Sequence, residues 1–150
     1  MLQDNLMAEM KTAMKSKDTV RLTVLRAIKA EFLKAKTSAD FNGEITEKDE
    51  ITLLTRMLKQ RKDAAKIYQE QDRADLYQDE IDQANVIMDY LPKQLSADEI
   101  EGEVKAIITK VGATGPKDMG KVMGMASKAL AGKADGKVVA DTVKSVLASL

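Results

Sequence analysis

The sequence of 150 residues contains neither cysteine nor histidine. Cysteine would be needed for disulfides and thiolate nucleophiles, and histidine is the usual general base near neutral pH and the commonest metal ligand. Zinc sites, Ser–His–Asp triads and Cys–His dyads are therefore excluded. Any catalysis would have to use paired carboxylates, an activated lysine or a magnesium ion held by carboxylates.

Aromatic residues and long hydrophobic runs are also scarce. The chain has two Phe, three Tyr and no Trp, and no aromatic residue follows Tyr90. No apolar run approaches the roughly 20 residues that a membrane-spanning helix needs. Acidic residues at Asp4 and Glu9 do not fit a signal peptide. We expect a cytoplasmic protein with no membrane partner and no bound metal or other cofactor.

The net charge is zero, but charges of opposite sign are segregated along the chain. Lys11–Lys36 carries a net charge of +6 and Arg56–Lys66 one of +4, whereas Glu70–Asp89 carries −6 and residues 113–150 carry +3. Solvated helix faces that pair with each other would explain this pattern, and so would a basic surface that meets an anionic partner. The acidic stretch has the register of an exposed helix face, which favours a solvated surface over a metal site.

Apolar residues recur at three- and four-residue spacing along nearly the whole chain, which predicts an all-α fold. The signals predict an N-terminal helical subdomain (1–91) of about four helices, a linker at 92–95, and a C-terminal three-helix domain (96–150). Helix starts are indicated by capping residues, and helix ends by glycine or by the approach of proline. The predicted N-caps are Asp18, Thr46, Ser96 and Asp135, and the predicted stops are Leu91, Gly112 and Gly132.

Two sets of residues are interpreted as packing surfaces. Met7, Met10 and Met14 share one helical face, which predicts core positions, although a methionine-rich face also suits adaptable partner contacts. Gly120 and Gly124 form a G-x-x-x-G face, which predicts the close approach of another helix. A bulky residue at Gly120 is then expected to destabilise the domain by overpacking.

The segment Gly115–Lys121 imitates a phosphate-binding loop with its G-x-x-x-x-G-K pattern. The next residue is Val122, where that motif needs a hydroxyl group for the metal ion. Pro116 suits the first position of a helix, and the residues that would form the preceding strand belong to a capped helix. We therefore interpret this segment as a helix start.

Lysines are the most suggestive residues of the C-terminal domain. Their ammonium groups could follow a nucleic-acid backbone, because phosphate contacts require cations and little else. Without aromatic residues nearby, binding would depend on shape and phosphate rather than on base identity. The basic run Lys59–Lys62 in the third helix is a second possible phosphate-contacting edge. The candidate nucleic-acid-binding residues are Lys117, Lys121, Lys128, Lys133 and Lys137.

Several short motifs occur in an order and spacing that resembles the YqeY family. They are Lys59-Gln60-Arg61-Lys62-Asp63, Arg73-Ala74-Asp75-Leu76, Tyr90-Leu91-Pro92-Lys93-Gln94-Leu95-Ser96, Val111-Gly112-Ala113, Asp118-Met119-Gly120-Lys121-Val122-Met123 and Gly132-Lys133-Ala134-Asp135-Gly136. The resemblance covers essentially the whole chain. Ala64 and the stretch Tyr77-Gln78-Asp79 depart from the family pattern, at positions without a chemical role.

The resemblance implies an N-terminal helical part and a three-helix tail similar to the tail of the B subunit of aspartyl/glutamyl-tRNA amidotransferase. In that enzyme the tail helps to hold tRNA, and the chemistry lies in other domains. The implied function is a non-enzymatic, tRNA-associated binding module, with tRNA-aminoacylation or amidotransferase proteins as possible partners. Two alternatives stay open: a protein–protein adaptor without RNA binding, and an amidotransferase, a carbon–nitrogen ligase with glutamine as amido-N-donor.

Overall fold

The structure, a computed structural model, describes all 150 residues and contains seven α-helices without any β-strand. The predicted all-α class is therefore confirmed. A short 3₁₀ turn, Pro116–Asp118, precedes the sixth helix, and no helix combines the length and hydrophobicity needed to span a membrane. The helices are α1 (Leu2–Lys15), α2 (Thr19–Lys36), α3 (Glu47–Glu70), α4 (Ala74–Asp89), α5 (Ala97–Val111), α6 (Met119–Ala129) and α7 (Gly136–Ala148).

Local capping explains most of the helix starts. Thr46 and Asp49 form a reciprocal capping box at the start of α3, and Ser96 and Glu99 form another at the start of α5. Such boxes satisfy backbone N–H groups that have no partner within the helix. The same hydrogen bonds lower the pKa of Asp49 and of Glu99. Both carboxylates therefore stay ionised at neutral pH and complement the positive ends of their helices.

The chain divides into two compact units, Met1–Leu91 and Pro92–Leu150. Each unit has its own apolar cluster. In unit 1, the core centres on Leu25, Ile28, Leu54 and Ile87, all fully buried. In unit 2, the core includes the fully buried Val104, Val122, Ala126 and Val143, and its three helices all pack against one another.

Within unit 1, the start of α1 is capped by a residue from α3. Glu50 is the one buried charged side chain of the chain, with 5% of its surface exposed. Its carboxylate accepts hydrogen bonds from the backbone N–H groups of Leu2 (3.1 Å) and Gln3 (2.8 Å). The Gln3 side chain also donates to the carbonyl of Ile45 at 2.6 Å. Because α1 has no capping side chain of its own, α3 supplies the acceptor that its first turn needs.

A second long-range network joins α1, α2 and the end of α4. The Arg21 guanidinium donates to Asp18, to Asp89 (2.6 Å) and to the Tyr90 hydroxyl (2.9 Å). The Tyr90 hydroxyl in turn donates to Glu9 at 3.0 Å. Burial raises the pKa of the Tyr90 phenol, and the bonds to Asp89 and Tyr90 raise the pKa of Arg21. The network therefore fixes the last turn of α4 against the first two helices.

The segment predicted as a linker makes hydrogen bonds inside unit 2. The Gln94 side chain donates to the carbonyl of Gly132 at 2.6 Å, and the Leu95 N–H donates to the carbonyl of Lys133 at 2.9 Å. Leu95 also packs against the unit 2 core. Residues 94 and 95 are therefore tied to the turn between α6 and α7.

The prediction that the three methionines of α1 are core residues is wrong for two of them. Met7 and Met14 are 65% and 55% exposed, and only Met10 packs partly against the core. The buried stripe of α1 consists instead of Leu2, Leu6 and Ala13. The apolar face of α1 is thus wider than the part of it that the rest of unit 1 covers.

Lys17 offers a direct test of the turn between α1 and α2. Its φ of 57° places it in the left-handed region, which glycine usually occupies after a helix. We expect Lys17→Gly to stabilise unit 1 by about 1 kcal/mol, because a side chain is strained there. Urea unfolding followed by tyrosine fluorescence measures this. Lys11→Gly, at an exposed position inside α1, is the control and should destabilise by about 1 kcal/mol; stabilisation by both variants would contradict the assignment.

Candidate nucleic-acid interface

The loop between α5 and α6 sets the start of the candidate surface. Gly112 ends α5 in the left-handed conformation, with φ of 68°. The Asp118 carboxylate accepts a hydrogen bond from the Thr114 N–H at 2.9 Å, and this bond lowers the pKa of Asp118. The 3₁₀ turn Pro116–Asp118 then leads directly into α6. The loop is therefore closed on itself by local hydrogen bonds, which fixes where α6 begins.

All five candidate lysines are exposed. Lys117 lies in the 3₁₀ turn, and Lys121 and Lys128, seven residues apart, lie on one side of α6. Lys133 lies in the turn after α6, and Lys137 lies in the first turn of α7, behind the N-cap Asp135. None of the five forms an ion pair with an acidic side chain, so their charges are available to an anionic partner.

Lys121 has a defined anchor. Its ammonium group donates to the carbonyl of Val111 at 3.1 Å, at the C-terminal end of α5. Helix C-termini carry partial negative charge, so this position favours the cation. A phosphate could use the remaining donors, because an ammonium group has three N–H bonds. Lys121 is therefore the most fixed in position of the five lysines.

The expectation that Gly120 and Gly124 pack against another helix is wrong. Both residues are exposed, and a Cβ atom added at either would meet no atom within 4 Å beyond its own stretch of helix. Their spacing of four matches a packing face, but α6 buries Val122 and Ala126 instead. The glycines therefore lie on the same exposed side as Lys121 and Lys128, where they leave the helix backbone bare beside the cations.

The open space beside these glycines leads to a stability prediction. Gly124→Ala is expected to stabilise unit 2 by about 0.5–1 kcal/mol, because glycine lowers helix propensity and the new methyl group meets nothing. Amide hydrogen exchange of the unit 2 core measures the change. Gly112→Ala is the matched control and should destabilise, because the backbone at Gly112 is left-handed. A loss of stability in Gly124→Ala would mean that another helix packs on this face.

Unit 1 carries a rival cationic surface. The exposed cations of α1, α2 and the turn between them have no ion-pair partner, unlike Arg21. They outnumber the five lysines of unit 2, and the exposed Met7 and Met14 lie among them. This set consists of Lys11, Lys15, Lys17, Arg26, Lys29, Lys34 and Lys36.

The other charged stretches are used largely within unit 1. In the basic run of α3, Arg56 pairs with Glu31, Lys59 with Asp63, and Arg61 with Glu80 at 3.8 Å. In the acidic stretch, Asp75 pairs with Arg73, and Asp82 accepts a hydrogen bond from Gln78. No group of three acidic side chains gathers in a way that could hold a metal ion. Two of these contacts, Arg56–Glu31 and Arg61–Glu80, join α3 to α2 and to α4, and the others are local to one helix.

The imitation of a phosphate-binding loop is not formed. Ile107 and Ile108, which would lie in its strand, are buried in α5, and Val139 is buried in α7. Gly115–Lys121 forms the 3₁₀ turn and the start of α6. A cradle of backbone N–H groups after a strand is therefore absent.

Fold and surface together define an all-helical protein whose C-terminal unit presents an exposed, lysine-bearing helix face. The YqeY family, described as Yqey-like protein, matches residues 3–147. The chain therefore belongs to the YqeY family, as its motifs indicate. No curated protein sequence matches the chain.

Proposed function

We propose that this YqeY-family protein is a non-enzymatic, tRNA-associated binding module that acts in the cytoplasm and contacts RNA phosphates through unit 2. The observation that carries the proposal is the exposed side of α6, where Lys121 and Lys128 lie beside the bare backbone of Gly120 and Gly124. A sugar–phosphate backbone can approach such a surface closely, because Gly120 and Gly124 carry no side chain beside the cations.

The charge distribution of unit 2 supports this choice of surface. From Ala113 onward, six lysines oppose three aspartates. Asp118 and Asp135 are occupied in local hydrogen bonds to backbone N–H groups. The acidic side chains of α5, by contrast, lie in its first half and include Asp98, Glu99, Glu101 and Glu103. The start of α6, where Lys121 reaches the opposite end of α5, is therefore the part of this surface at which an anion meets little repulsion.

Filter binding of the full chain to tRNA at several salt concentrations tests the proposal. Each lysine–phosphate contact contributes about 0.7–0.9 to the slope of log affinity against log salt. Five lysines therefore predict a slope of roughly −3.5 to −4.5. Affinity for tRNAs of different sequence should be similar, because unit 2 has no aromatic side chain on which a base could stack. Absence of binding at low salt would contradict the proposal.

A protein–protein adaptor is the second candidate, favoured by the exposed Met7 and Met14 on α1. Methionine side chains adapt to differently shaped partners. This candidate predicts that the full chain fails to bind tRNA and that Met7→Gln with Met14→Gln abolishes capture of a protein partner. The amidotransferase alternative predicts transfer of the amide nitrogen of glutamine by the isolated chain, which an assay with charged tRNA and ATP measures.

A further inference from the structure

A cavity of about 680 Å³ lies in unit 1 between the end of α2, the loop that follows it and the first half of α3. Its volume is within the range of small-molecule sites. The floor is apolar and is formed by the buried Ile45 and Leu53 and the half-buried Phe41. A floor of this kind suits an aliphatic ligand surface. The charged side chains at the rim determine which polar groups such a ligand could also carry.

The rim is predominantly acidic. Four carboxylates line the cavity, against two cations, Lys34 and Arg56. Arg56 is neutralised by Glu31, with 3.0 Å between its Nη2 and the carboxylate oxygen. Asp49 stays ionised because its hydrogen bonds to Thr46 lower its pKa. The C-terminal end of α2 adds partial negative charge on the same side.

Two of the rim carboxylates have no partner within the chain. Asp40 and Glu44 are exposed and form neither an ion pair nor a side-chain hydrogen bond. They therefore remain free to bind cationic groups. A compact metal ion would gain nothing from the apolar floor, and a peptide would bring a backbone that needs its own hydrogen-bond partners. An amine on an aliphatic stem matches both the floor and the rim.

We propose that this α2–α3 cavity binds a free aliphatic polyamine. Its ammonium groups pair with Asp40 and Glu44, and its methylene segments lie on Phe41, Ile45 and Leu53. Lys34, which lines the same cavity without an ion-pair partner, opposes binding by like charge. The site is independent of the lysine surface of unit 2, so the two proposals can fail separately.

Calorimetric titration of the full chain with spermidine, without RNA, tests the site. We expect one molecule bound per chain and amide chemical-shift changes confined to residues 31–60. Asp40→Asn with Glu44→Gln should weaken binding by about two- to fivefold for each lost carboxylate. Lys34→Gln should tighten binding by about twofold or more, because it removes a repelling charge. All three substituted residues are exposed, so the variants should keep the fold.

The control is Asp98→Asn with Glu103→Gln, which makes the same charge change at exposed positions of α5. It should leave the affinity for spermidine unchanged. Equal weakening in the control variant would overturn the proposal in favour of general charge attraction. Shift changes outside residues 31–60, or displacement of spermidine by an equal concentration of Mg²⁺, would also overturn it. Tighter binding of a blocked Lys-Leu-Lys peptide would overturn the choice of a free amine as occupant.

Discussion

Simultaneous replacement of Lys117, Lys121 and Lys128 by glutamate is expected to weaken tRNA binding about a hundredfold or more at 0.1 M salt. Loss of three phosphate contacts lowers the slope of log affinity against log salt by about 2–3. Because 0.1 M lies one tenfold step below 1 M salt, this change in slope corresponds to a loss of about 2–3 powers of ten in affinity. The loss should be similar for all tRNAs, since phosphate contacts carry no base information. Filter binding across a salt series measures both quantities.

A second triple variant distinguishes the effect of the lysines' position from the effect of net charge. Lys93, Lys110 and Lys144 are also exposed and unpaired lysines of unit 2, and their replacement by glutamate changes the net charge by the same amount. We expect this control variant to lose much less affinity for tRNA than the variant at Lys117, Lys121 and Lys128. If both variants bind normally while Lys15→Glu with Arg26→Glu and Lys29→Glu does not, the α1–α2 surface is the binding site and the α6 assignment is wrong.

The largest expected effect on stability comes from Glu50. Glu50→Ala should destabilise unit 1 by about 3 kcal/mol, because it removes a charged acceptor and leaves the Leu2 and Gln3 N–H groups without a partner. Glu50→Gln should cost about half as much, since its amide oxygen can still accept one bond. All five aromatic residues lie in unit 1, so tyrosine fluorescence during urea unfolding follows this unit alone.

Glu47→Ala provides the comparison for Glu50. Glu47 is exposed in the first turn of the same helix and makes no side-chain hydrogen bond. Its loss should cost only about 0.3–1 kcal/mol through the helix dipole. Equal destabilisation by Glu47→Ala and Glu50→Ala would show that the charge near the start of α3 matters and that the cap on α1 does not.

Helix positions could be predicted from the sequence because their signals are local. The caps at Asp18, Thr46, Ser96 and Asp135 and the stop at Gly112 are all found in the structure. Each of these residues acts on backbone groups only a few positions away. Short-range chemistry of this kind is readable along a single chain.

Long-range partners could not be predicted in the same way. Nothing near Glu50 indicates that its carboxylate caps a helix 48 residues earlier, and nothing near Arg21 indicates Asp89 and Tyr90. Helical spacing also failed for Met7, Met14, Gly120 and Gly124. Spacing shows which residues share a face, but only the arrangement of the helices decides whether a neighbour covers that face.

The two candidate sites differ in the same way, because one has a local sequence signal and the other does not. Exposure of the five unit 2 lysines follows from their polar positions on α6 and α7 and in the turns beside these helices, and the sequence alone names them as candidates. The α2–α3 cavity was missed, because its floor joins Phe41 and Ile45 of a loop to Leu53 of a helix. The sequence of that loop predicts a polar connection, and no spacing rule links the loop to the helix. A feature assembled from three segments has no periodic signal.

The cap that Glu50 places on α1 also has a consequence for the order of folding. α1 and α2 are neighbours along the chain and can form a hairpin early, whereas the acceptor for the first turn of α1 arrives only when α3 docks. The first turn of α1 should therefore close late. In kinetic terms, Glu50→Ala should accelerate unfolding far more than it slows folding.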